Sequence, residues 1–146
     1  MKAINLFLGY LAAVIVTYLL GATFISQGNI AAVVEMGFEI TASHRVDAVI
    51  HDISSMYQIY LPVIAVALII AIPVASRIIR LVPNMRLIGY LSAGFVAMIA
   101  IHLTLKAVLG LTGIAPTRDI VGLLAQGVAG AAGGYMYHWL TQKTEA

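Results

Sequence analysis

Four long stretches of this chain carry almost no charge, and each is long enough to cross a membrane as a helix. About 20 residues at a rise of 1.5 Å span a hydrocarbon core roughly 30 Å thick. The stretches run from about Ile4 to Ile25, Met56 to Ile79, Leu87 to Leu109 and Asp119 to Thr141. The second is rich in β-branched residues such as Val63, Ile64, Ile69 and Ile70, which in water would suggest strands, but its length favours a membrane helix. Pro62 and Pro73 lie inside it and each removes a backbone donor, so a kink or local unwinding is expected. The expected fold class is all-α: an integral membrane four-helix bundle forming one domain over residues 1–146, with a short amphipathic helical excursion between the first two spans.

Composition agrees. Hydrophobic residues make up 62% of the chain and charged ones 10%, and the mean hydropathy is +1.00. An average soluble domain carries about 25% charged residues, so a disordered tail, a coiled coil and a DNA-binding domain are all excluded. The formal charge of +2 is too small for a nucleic-acid footprint, which leaves the lipid bilayer as the expected partner. There are no cysteines, hence no disulfide framework and no thiolate metal site. The first apolar run exceeds the roughly 7–15 residues of a signal-peptide core, so it is expected to be a retained helix.

Orientation follows from the basic residues. Lys2, Arg77, Arg80, Arg86 and Lys143 fall on one side of the spans, and Arg45, Lys106 and Arg118 on the other. The positive-inside rule then places both termini in the cytoplasm of a multi-pass inner (plasma) membrane protein.

Residues 27–55 make the longest connection, and loops of that length usually have structure or function of their own. Thr41 or Ser43 can cap a helix in which Val46, Val49, Ile50, Ile53 and Met56 recur at the spacing of an apolar stripe. Asn29 to Phe38 is a weaker second helix. Such a pair reads first as amphipathic helices lying at the outer interface. On the polar side, His44, Asp47 and His51 share one helical face. Imidazole and carboxylate groups converging there are a candidate site for a divalent metal at the outer face, although the spacing is not the i, i+4 histidine pair of zinc helices.

Ionisable residues inside a span cost about 2.5–3.5 kcal/mol at the helix centre, so they are functional candidates. His102 lies near the outer end of span three and Lys106 one turn later. With Ser92, Phe95 and Ile99 they form a stripe expected to face the interior. Lys106 either snorkels to the interface or pairs with Glu35, Glu39, Asp47 or Asp52, which would dock the long loop on the bundle mouth. Docking would bring His102 towards His44 and His51, as a metal cluster, a proton relay or a seat for an anion. Bis-histidine haem ligation is disfavoured, because His138 lies near the opposite end of the bundle from His102.

Span four carries a small-residue face of Gly122, Ala125, Ala129, Gly130 and Gly133, with Gln126 on it. Small side chains let helix backbones approach, either within the chain or between copies, and Gln126 is expected to bond a neighbouring helix or line a pore. Tyr135, Tyr137 and Trp139, with His138 among them, read as an aromatic belt. Arg77, Arg80 and Arg86 read as orientation determinants, and at most as loose contacts for anionic lipid phosphates. No phosphate loop, serine-hydrolase elbow, zinc-protease motif, intramembrane carboxylate or internal repeat is present. The sequence therefore suggests a non-enzymatic membrane protein that binds or passes a small ligand or ion at its outer face, through His102, Lys106, Glu35, Glu39 and Gln126. A homo-oligomer or a partner membrane subunit is expected. The alternatives are a metal or redox site on His44, Asp47, His51 and His102, or an accessory subunit of a larger complex.

Overall fold

The computed structural model describes residues 2–110 and 114–145, and within them every regular element is helical. There are five α-helices: α1 (Lys2–Glu35), α2 (Ala42–Met56), α3 (Tyr60–Ile79), α4 (Arg86–Leu109) and α5 (Ile120–Glu145). Two 3-10 turns, Pro83–Met85 and Ala115–Arg118, precede α4 and α5. The long helices alternate in direction and close a ring in which α1 touches α3 and α5, and α4 touches α3 and α5. Their common core includes Ala13, Tyr18, Ala22, Tyr60, Ile64, Leu68, Tyr90, Met98 and Tyr137.

Among the described residues, three helices are long and apolar enough to cross a membrane: α1, α3, and α4 with the turn before it. Large apolar side chains also cover the outside of the bundle. Phe7, Ile70, Val96 and Val108 are all exposed, whereas Ala13, Thr17, Ala22 and Ala129 are fully enclosed. An apolar shell around a small-residue core is the arrangement that lipid, not water, stabilises. The fourth expected span differs. α5 falls outside the apolar set: Gly122, Gly127, Gly130, Gly133 and Gly134 occupy positions that leucine or valine would fill in an ordinary span, and Gln126 lies among them.

The connection after span one is also not as expected. α1 continues without a break to Glu35 and absorbs the weaker helix expected from Asn29. No proline or positive-φ residue interrupts it before Gly37, whose φ of +91° ends it as only glycine does without strain. The excursion is therefore one separate helix, α2, capped by Thr41, whose side chain accepts the His44 N–H. The apolar stripe of α2 divides. Ile53 and Met56 pack on the core, while Val46 and Ile50 remain exposed. Pro62 lies in the first turn of α3, where its missing N–H has no intrahelical partner to lose, and only Pro73 is internal.

Close approach of backbones sets the position of α5. A methyl group at Gly94 would land on the carbonyl oxygen of Gly130, and one at Gly130 on that of Gly94. One at Gly134 would meet the Tyr90 carbonyl, and one at Gly133 the Thr17 hydroxyl of α1. The Cα hydrogens that occupy those directions thus point at oxygen, in the weak Cα–H···O contacts that recur where helices meet at glycine. The contact at Gly133 also gives a neighbour to Thr17 Oγ1, which is buried without a conventional hydrogen-bond partner. The small-residue face of α5 is consequently covered by the chain's own α1 and α4.

Candidate functional site

Each long helix contributes one polar or aromatic residue to a layer near the α2 end of the bundle. Tyr60 at the start of α3 donates its hydroxyl to Gln126 Oε1 of α5. The Gln126 amide donates to the Gly21 carbonyl of α1 at 3.1 Å. The Tyr60 ring stands edge-on to His102 of α4 at 6.0 Å between centroids, and tilted against Tyr18 of α1 at 6.1 Å. Tyr18 in turn donates to the Ile53 carbonyl, which ties α2 to the layer. Gln126 is thus committed to holding helices together and lines no cavity among those described. Tyr60 and Tyr18 were not legible as partners from the sequence, where they read as ordinary span residues. The available signal was that a buried tyrosine and a buried glutamine each need a hydrogen-bond partner.

His102 is the buried ionisable residue of this layer, at 5% exposure. Its Nδ1 lies 2.7 Å from the Met98 carbonyl one turn back. A carbonyl only accepts, so Nδ1 carries a hydrogen, and in the neutral ring Nε2 then holds a lone pair. Nε2 is sealed from solvent and has no partner among the described residues. His102 also forms part of the wall of a recess of about 220 Å³, together with Leu103, Lys106, Thr117, Arg118, Asp119, Ile120 and Leu123. Two cations and one carboxylate therefore surround this space. Asp119 is partly committed, because its Oδ1 accepts the Gly122 N–H at 2.7 Å and caps α5.

The structure brings His102 and Lys106 together as expected from the sequence, but with different company. Glu35 and Glu39 are exposed at the end of α1 and in the link to α2, outside the recess. The long connection docks without Lys106. Arg45 Nη1 donates to Gln27 Oε1 at 3.1 Å, and the Gln27 amide donates back to the Arg45 carbonyl at 3.4 Å. His44, Asp47 and His51 sit exposed on α2. Among the described residues, no three His, Cys, Asp or Glu side chains gather as a metal-holding set. The inward face of α4 is Tyr90, Gly94, Ala97, Met98 and His102, rotated from the expected stripe, so Ser92 is exposed and Phe95 and Ile99 are half-buried.

The opposite end has its own polar lock. Arg86, expected at the surface, reaches across to α5: Nη2 donates to Thr141 Oγ1 at 2.7 Å and Nη1 to the His138 carbonyl at 3.0 Å. Nη1 is also 2.9 Å from His138 Nδ1, and the guanidinium lies 5.1 Å from the centre of the Tyr90 ring. Tyr137 is buried edge-on against Tyr90 at 4.9 Å, so it is core and not belt, while Tyr135 and Trp139 do face outward.

These features define an all-helical chain with three helices able to cross a membrane and a charged recess at one end of the bundle. Set against protein-family models, curated proteins and solved structures, the chain finds no match.

Proposed function

We propose that this chain is a small non-enzymatic membrane protein that binds a small anion at its outer face, in the recess around His102 and Lys106. In this reading α5 is the fourth span. Its outward residues Val121, Leu124 and Val128 are apolar and exposed like those of the other three helices, and its glycines together with Gln126 lower its hydropathy. The bias of basic residues supports an orientation with the Arg77, Arg80 and Arg86 end towards the cytoplasm and the recess outside, in a plasma or inner membrane. A second copy or a partner subunit would dock elsewhere than on the α5 glycine face, which the chain itself covers.

The observation that carries the reading is a recess whose wall holds His102, Lys106 and Arg118 together. Lys106 and Arg118 outnumber the single carboxylate of Asp119, so the recess carries a net positive charge that attracts a small oxyanion. The recess of about 220 Å³ suits an ion or a small acid, being smaller than the roughly 300–1,000 Å³ of drug-sized sites. Inorganic phosphate and acetate are the probes. In detergent or nanodiscs, saturating phosphate should raise the unfolding free energy, by about 2.7 kcal/mol at a hundredfold excess over Kd. Lys106→Ala should weaken that effect and leave the unliganded stability unchanged. Absence of any saturable shift with either anion, or a shift that Lys106→Ala leaves intact, would sink the reading.

A further inference from the structure

The recess around His102 offers more than positive charge. Its wall holds two side chains that only donate hydrogen bonds, Lys106 of α4 and Arg118 of the turn before α5. It also holds two whose remaining capacity is to accept. The exposed carboxylate of Asp119 commits Oδ1 to the Gly122 N–H at 2.7 Å, and its other oxygen takes no hydrogen bond from the described residues. Thr117, 7% exposed, gives its hydroxyl hydrogen to the Ile114 carbonyl at 2.8 Å, so any further partner of that oxygen has to be a donor.

These two halves do not satisfy each other. Lys106 and Asp119 share the wall without forming an ion pair. A bare oxyanion in the recess would meet Lys106 and Arg118, but the carboxylate of Asp119 would repel it and the two acceptors would go unused. A molecule that carries an ammonium group beside its oxyanion meets both halves, and the repelling carboxylate then becomes a partner.

We infer, on the anion reading of the same recess, that its ligand is a small amino acid, with the carboxylate against Lys106 and Arg118 and the ammonium group against Asp119 and Thr117. Asp119 is then the residue that separates amino acids from simple acids.

Glycine and acetate test it, because they differ only in an ammonium group that replaces one methyl hydrogen. Each is titrated near pH 7 and at matched ionic strength against the full chain in phosphatidylcholine nanodiscs, whose headgroups carry no N–H, and the shift in unfolding midpoint gives Kd. The wild type should bind glycine more tightly than acetate. Asp119→Asn keeps the cap, since an asparagine oxygen also accepts the Gly122 N–H, and removes only the charge. It should weaken glycine about fivefold, the worth of one exposed ion pair, and tighten acetate, which no longer faces a carboxylate. Opposite responses of two ligands to one substitution cannot come from a general loss of structure. Glycine that binds no better than acetate, or that keeps its full affinity in Asp119→Asn, would overturn the inference, while saturable binding of acetate would leave the anion reading standing. Stabilisation by methylammonium equal to that by glycine would also overturn it. No saturable effect of either glycine or acetate would end both.

Discussion

Substituting Gly130 by alanine asks whether α4 and α5 are held at backbone contact. The added methyl would meet the Gly94 carbonyl oxygen and, at 2.7 Å, its carbon, together with Met98 Cγ. Met98 can turn aside, but a backbone carbonyl cannot, so the helices must separate. Overpacking of this kind costs about 1–3 kcal/mol. Separation also weakens the Cα–H···O contacts at Gly94, Gly130 and Gly134, each worth about 0.5–1 kcal/mol. Alanine returns up to about 1 kcal/mol through its better helix propensity. The net expectation is a loss of about 2 kcal/mol.

Gly89→Ala is the matched control. Its methyl would meet Ile79 Cγ1 at 2.7 Å and Cδ1 at 2.8 Å, atoms of a side chain that can change rotamer. That variant should lie within about 0.5 kcal/mol of wild type, or above it. Reversible unfolding by SDS in mixed micelles measures both. A Gly130→Ala midpoint at or above wild type would refute the backbone-contact argument, as would equal damage from Gly89→Ala.

Three further outcomes follow from the hydrogen bonds. Gln126→Leu leaves the Tyr60 hydroxyl without a partner and removes the second hydrogen bond of the Gly21 carbonyl, and should cost about 1–3 kcal/mol; a double-mutant cycle with Tyr60→Phe should show coupling of about 0.6–1.7 kcal/mol, and additivity would mean that the bond contributes nothing. Arg86→Lys should destabilise nearly as much as Arg86→Gln, by about 1–2 kcal/mol in the same assay, because an ammonium cannot span His138 and Thr141 as the guanidinium fork does. Arg45→Ala should raise amide hydrogen exchange in α2 and leave α3 to α5 unchanged; unaltered protection of α2 would show that the Gln27 pairing does not dock it.

What the sequence made legible was local. Thr41 as a cap, the helical period of 42–56 and the small-residue face of α5 depend on residues within a few turns of one another, and the structure holds all three. Reach across helices was harder to see. Gln27 and Asn29 look like the end of a span, yet a helix ends where its backbone is broken, at Gly37, and not where hydropathy falls. Arg86 looked like a surface charge because nothing local reveals that His138 and Thr141 stand opposite it. For the recess, His102 and Lys106 were visible by their rarity in an apolar span. Arg118 and Asp119 are not legible as part of it, because the turn at Ala115–Arg118 that sets them across the recess from α4 is a property of the fold in three dimensions.

The glycines of α5 bear on how the chain is made. Their small size allows backbone contact with α4 and α1, and the same small size leaves the helix with too little apolar surface to enter lipid strongly alone. Within the proposed arrangement, α5 is translated after α1, α3 and α4, so it reaches a membrane that already holds both of the helices it packs against. Insertion of this segment would then depend on earlier segments being correctly placed, and a defect at Gly94 or Thr17 would show first as a failure of α5 to integrate.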